Sequence, residues 1–365
     1  MPNITWMIAF LALTVPQASP PALQSALAAN NALAFSAEQT GRPSVRARDL
    51  TASCWASLDL RPALLGKRIA ESEKKASSAY RIINMVDDFV SYYDECEKSG
   101  ATGRRAKWDS MLEAKYPEFF RDAIYRKKEG ADRDKFKDWC IETFWKEVAP
   151  KMPVIRKLNL MAADEIKATL DGFQKQFPDF KPSTDFYLTI SFSFRGKVVD
   201  VKGKDVFAIG LENFEPGQPQ LQITIAHELF HLYHFQFFEA SGGLYRTLWA
   251  EGLASYASAV VVPGYRFSQY LGFPGEKMNR CQELLPTMTK ELLKELENND
   301  QRIKRIYFGA EPNDTPIPPE AGYYVGFMIA ESLAKNNSLA ELARMKPENV
   351  LAVLRQELPR LSESR

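Results

Sequence analysis

Histidine is nearly missing from this chain, with three in 365 residues, so imidazole chemistry is confined to wherever those three fall. Cysteine is scarce as well. Cys54, Cys96, Cys140 and Cys281 include no C-x-x-C pair, which excludes a cysteine-based zinc cluster and leaves buried thiols, or three possible pairings if the chain meets an oxidising compartment. No apolar run reaches the roughly 18–20 residues that a bilayer-spanning helix needs. Excess charge of either sign is absent too: 47 Lys plus Arg face 46 Asp plus Glu, so nothing electrostatic favours nucleic acid or an anionic membrane surface as partner. Gly 19 and Pro 22 are too few for a fibrous or disordered chain, and 45% apolar with 25% charged residues is ordinary globular composition.

Charge is also absent from the beginning, where the first ionisable side chain is Glu38. An apolar stretch from Trp6 to Val15 is followed by a Pro-, Ala-, Ser- and Asn-rich segment, and Ala26-Leu27-Ala28 offers a small-residue cleavage site. This pattern is that of an export signal without its basic start. Residues 1–40 are therefore expected to be a signal or disordered segment, and the protein to be periplasmic or secreted. From Leu64 to about Phe177 apolar residues recur every three or four positions between charged faces, predicting a helical N-terminal region over residues 41–180. Around Pro178 and Pro182 the period changes. Asp185–Phe194 and Lys197–Leu211, rich in β-branched and aromatic residues, read as strands of a small sheet, after which the chain returns to helix. The expected class is α+β.

All three histidines lie within eight residues, His227, His231 and His234, in HELFHLYH. On an α-helix His227 and His231 stand one turn apart on one face, close enough to share a Zn²⁺. Glu228, one residue round, sits beside such an ion without ligating it and can take a proton from water there. H-E-x-x-H is the zinc-peptidase signature. The helix around it, QLQITIAHELFHLYHFQFF, is apolar nearly all round and so reads as buried, where two imidazoles and a carboxylate are costly unless paired or bound to a cation. His234 lies about 10 Å along the axis from His227 and is read as a packing residue. Glu251 is the better third ligand. Ser241-Gly242-Gly243 can stop the first helix and turn the chain, and a second helix, expected from near Thr247, carries Glu251 among small residues that would let it approach the first helix closely. With every histidine at the metal helix, an oxyanion must be held by a Tyr or Arg.

These residues resemble a known group. HELFH followed after nineteen residues by Glu251 looks like the gluzincins, zinc peptidases with two His on one helix and a Glu on the next. Trp249-Ala250-Glu251-Gly252-Leu253-Ala254-Ser255-Tyr256 is similar to the W-x-x-E-G-F-A-S/T-Y segment of membrane alanyl aminopeptidases, one residue shorter between Trp and Glu. The whole layout, including GYYVGF at 322–327, looks most like the bacterial family of predicted Zn-dependent proteases. That resemblance implies a zincin-like catalytic domain over residues 181–365, with His227, His231 and Glu251 as ligands of one zinc and Glu228 as general base. It also implies an oxyanion-holding tyrosine, Tyr323 by the Y-x-x-G pattern, with Tyr324 its alternative. Ile209-Gly210-Leu211-Glu212-Asn213 departs from the aminopeptidases' G-x-M-E-N, so aminopeptidase specificity is not implied. IGLEN reads instead as the end of a strand whose edge can receive an extended peptide.

The reading is a single-zinc metallopeptidase acting on peptide or protein. Two rivals stand beside it: a binding or immunity-type protein whose zinc site is structural or inactive, closed by a fourth ligand such as Cys281 or His234, and a hydrolase of non-peptide amides or esters.

Overall fold

The computed structural model describes residues 80–363; the signal-like segment and Cys54 lie outside them. The sheet is small and mixed. Its strands β1 (Ile82–Asn84), β2 (Phe186–Thr189), β3 (Gly196–Val201) and β4 (Lys204–Gly210) stand in the order β1-β2-β4-β3. β1, β2 and β4 run parallel, with Phe186 opposite both Ile82 and Phe207, while β3 is antiparallel to β4, with Val198 opposite Phe207. Lys202 and Gly203 join β3 to β4 with φ of 55° and 78°. Two successive left-handed residues match the twist of a tight hairpin, and Gly203 takes that conformation without strain.

Helices surround the sheet: α1 (Val86–Ser99), α2 (Arg104–Trp108), α3 (Gly130–Thr143) and α4 (Met152–Gln176) before it. After it come α5 (Gln220–His234), α6 (Leu244–Val261), α7 (Phe267–Leu271), α8 (Gly275–Glu295), α9 (Gln301–Phe308), α10 (Ala321–Leu333), α11 (Leu339–Ala343) and α12 (Pro347–Glu363). The α+β class is the observed one. Between α2 and α4 the helical path contains π-helical turns at Asp109–Glu113, Phe120–Ile124 and Phe144–Val148. Phe89 of α1, Trp108 of α2 and Phe144 form an edge-to-face and stacked cluster that Phe192 joins from the β2–β3 loop.

Three details differ from the sequence reading. Ile82–Asn84 falls in the stretch expected to be helical, yet it is a strand, because Phe186 N–H donates to the Arg81 carbonyl and the Asp185 carboxylate accepts from the Arg81 N–H and guanidinium. Tertiary pairing outweighs local periodicity there. The strand expected to reach Phe194 ends at Thr189. Buried Glu212 draws the chain out of the sheet, its Oε1 accepting from Ser191 N–H (3.0 Å), Ser191 Oγ (2.8 Å) and Phe192 N–H (2.8 Å). Finally, the strand ending in IGLEN is interior, between β2 and β3, and β3 is the edge.

Candidate metal centre

α5 is buried along its length, from Leu221 through His234 except Gln222. It lies beneath β3 so closely that a methyl on Gly196 would meet Thr224 Cγ2 at 2.7 Å. After α5 the chain turns through Gly242, whose φ of 123° only glycine adopts easily. Two bonds, from Leu244 N–H to the Asn298 carbonyl and from Tyr245 N–H to the Leu296 carbonyl, each 2.8 Å, pin the start of α6 to the far end of α8. That return brings Glu251 to the imidazole pair.

The Nε2 atoms of His227 and His231 are 3.0 Å apart, and Glu251 Oε2 lies 3.2 Å from the first and 3.4 Å from the second. Three donors so spaced share a point about 2.0–2.1 Å from each, the length of Zn–N and Zn–O bonds. Neutral imidazole nitrogens at that separation would set lone pair against lone pair unless a proton or a cation lay between them. The donor set therefore fits a divalent ion with two nitrogens and one carboxylate. Among the described residues, no further His, Cys, Asp or Glu joins this group. His234 is fully buried and stacks on Phe238 at 4.8 Å, and Cys281 is a buried free thiol on α8.

Electrostatics follow from burial. Burial lowers His227 to about 4 despite its bond to Glu251. At His231 burial acts downward too, but the Glu251 charge beside it wins and the pKa is raised. Glu251 would be raised by burial, yet the His231 charge and the two imidazole hydrogen bonds hold it down near 2. Glu228, 7% exposed, carries the opposite balance. Burial lifts its carboxyl to about 7, and the charges of His231 and of Lys197 on β3 only partly offset this. A carboxyl ionising near neutrality can both accept and return a proton. The edge strand meets α5 at Gly196, over Thr224, one turn before Glu228.

The two candidate tyrosines part company in the structure. Tyr323 has its ring 6.3 Å from His227, and burial, with the neighbouring charges of Glu251, Glu320 and Glu228, raises its hydroxyl well above the usual range. It stays protonated, a donor. Tyr324 stacks on Phe267 at 5.3 Å. What brings Tyr323 to the site is a crossing of α6 and α10 at Gly252 and Gly326, so tight that a methyl on Gly252 would lie 2.5 Å from the Gly326 backbone. Gly252, one of the small residues of α6, makes this backbone approach to α10, while Glu251 beside it reaches the imidazoles of α5. The start of α10 is tied to α8 by a half-buried ion pair, Lys277 to Glu320 at 2.7 Å, where Glu320 takes a left-handed φ of 61°. Nothing in the sequence had pointed to Lys277 or Lys197, whereas Gly252 and Gly326 were legible only as a small residue of the second helix and as the end of Y-x-x-G. The Y-x-x-G pattern at Tyr323 was visible, but nothing local said which helix it would face.

No curated protein and no solved structure matches the chain. Residues 195–352, which contain β3, β4, α5, α6 and Tyr323, match the model of a family described as Predicted Zn-dependent protease (DUF2268), and this supports a zinc-protease family for that part of the chain.

Proposed function

We propose that the protein is a single-zinc peptidase of gluzincin type. One observation carries the reading: two imidazoles and a carboxylate converge to 3.0–3.4 Å while a second carboxylate, Glu228, is buried next to His227 on the same helix and outside that triangle. A structural zinc site needs no such base. The absence of a fourth ligand among the described residues likewise favours an open position over a closed one.

Zinc held by His227, His231 and Glu251 would supply Lewis acidity to the scissile carbonyl and make nearby water acidic, towards a pKa of roughly 7. Glu228 takes the proton from that water and hands it to the leaving amine nitrogen. Tyr323 donates its hydroxyl hydrogen to the carbonyl oxygen as negative charge gathers there. β3 has no strand partner on the side away from β4 among the described residues, and its start, where Gly196 packs on Thr224 one helical turn before Glu228, is where an extended peptide would lie alongside the base. Activity after export, suggested by the signal-like segment, belongs to the same proposal.

Glu228→Gln tests it. The variant is expected to hold zinc one to one, by metal analysis, and to hydrolyse a peptide library at a rate lowered by roughly 10²–10⁴-fold. Wild-type turnover in that variant would remove the general base, and a chelator-insensitive wild type would remove the metal.

A further inference from the structure

A cleft of about 520 Å³ opens beside the edge strand, between the start of β3, the start of α5 and the segment from α7 into α8. Arg195 and Arg266 line it, with Gln218, Gln220, Ser268 and Gln269 between them. Arg195 is the residue before β3, and its guanidinium crosses the cleft towards Gly272, reaching within 3.7 Å of where a side chain would begin there. Neither arginine makes an ion pair with any described residue, although Glu215 lies on the same wall. Two arginines and one glutamate leave the cleft net positive. The rest of its polar lining is neutral amide and hydroxyl. α5 and α8, of 15 and 21 residues, both begin at this cleft without a side-chain cap, so their positive ends add to the same field.

Position gives this charge a meaning. Gln220 precedes His227 by seven residues of helix, a rise of roughly 10 Å, and Arg195 directly precedes Gly196, which packs on Thr224 one turn before Glu228. A peptide extended along β3 advances about 3.3 Å per residue, so the cleft stands about three residues from the bond held at the metal centre. We propose that this cleft is a specificity subsite for a carboxylate of the peptide substrate, read by Arg195 and Arg266. The assignment rests on the peptidase reading for its geometry. Guanidinium groups suit it because they pair with carboxylates in a planar, two-bond fork. The carboxylate comes either from an acidic side chain or from the free end of the peptide.

The experiment uses the full, zinc-loaded chain and two sets of quenched fluorescent peptides. In the first, both ends are blocked and a single Glu, or its isostere Gln, walks through the positions either side of the cleaved bond. In the second, the neutral sequence ends in a free carboxylate at the same distances. The expected result is a preference of about tenfold in kcat/KM for a carboxylate roughly three residues from the bond, expressed chiefly in KM. The set that shows it identifies the source. Arg195→Glu with Arg266→Glu is expected to reverse the preference, so that Lys outperforms Glu at that position, a gain that misfolding does not produce. A flat scan, or a preference surviving the charge reversal, overturns the subsite. Anisotropy of the same peptides labelled with fluorescein, on zinc-loaded Glu228→Gln, separates this from the function itself. Charge-selective binding that reverses in the arginine variants, with no peptide ever cut by wild type, sinks the peptidase and keeps the cleft; cutting without charge preference does the opposite.

Discussion

Replacing Gly252 by alanine perturbs the tight α6–α10 crossing that lies between Glu251 and Tyr323. The added methyl would lie 2.5–2.6 Å from the Gly326 backbone, against an ordinary carbon–carbon separation of about 3.5–4.0 Å. α6 and α10 must then part by roughly 1 Å. Backbone cannot swing aside as a side chain does, so the overpacking cost belongs near the upper end of the usual range, about 3 kcal/mol. Alanine's better helix propensity returns about 1 kcal/mol. The net loss is about 2 kcal/mol, or roughly 3 °C in Tm for a body of this size. Glu251 and Tyr323 sit on opposite sides of the crossing, so the displacement separates them. Zinc affinity is expected to fall by roughly 10–100-fold, as when a ligand's support is removed, and kcat to fall further. Thermal melting, zinc titration and peptide hydrolysis read the three effects. Gly275→Ala, where nothing lies within 4 Å, is the stability control. Unchanged melting and zinc affinity in Gly252→Ala would refute the claim that this crossing places the site.

Tyr323→Phe is expected to lower kcat by roughly 10²–10³-fold with zinc content intact, and Tyr324→Phe to leave kcat within a few-fold; equal losses would contradict the separation of the two rings. Saturating zinc at about a thousand times Kd should stabilise the apo-protein by about 4 kcal/mol, and His231→Ala should abolish that gain in Tm; a zinc response persisting in the variant would move the ion elsewhere. Glu212 supplies a pH prediction. Burial raises its pKa in the folded chain, above an unfolded value near 4.5, so the folded state holds a proton the unfolded state has released. Wild-type stability should therefore match that of Glu212→Gln below about pH 4 and fall behind it as pH rises, by up to about 1.4 kcal/mol per unit across the window. Urea melts giving a pH-independent difference would show that Glu212 is ionised in the fold.

The candidate ligands, the candidate base and the α+β class were legible in the chain itself, because their signals are local. Histidines four apart need only a helix to share a face, and alternating β-branched residues need only a neighbour to become strands. Glu251 was legible one step further, since Gly242 and Gly243 dictate a reversal whose length returns that carboxylate to the imidazoles. Position in the sheet was another matter. Whether β3 or β4 forms the edge depends on which side β2 takes, and β2 in turn pairs with Ile82–Asn84, about a hundred residues earlier. The choice between Tyr323 and Tyr324 turned on a crossing of two helices seventy residues apart, where Gly252 meets Gly326. The cleft with Arg195 and Arg266 likewise exists only once β3, α5 and α7 are brought together. Periodicity and motif spacing act through neighbours along the backbone, whereas which faces meet is settled by the packing of the whole core.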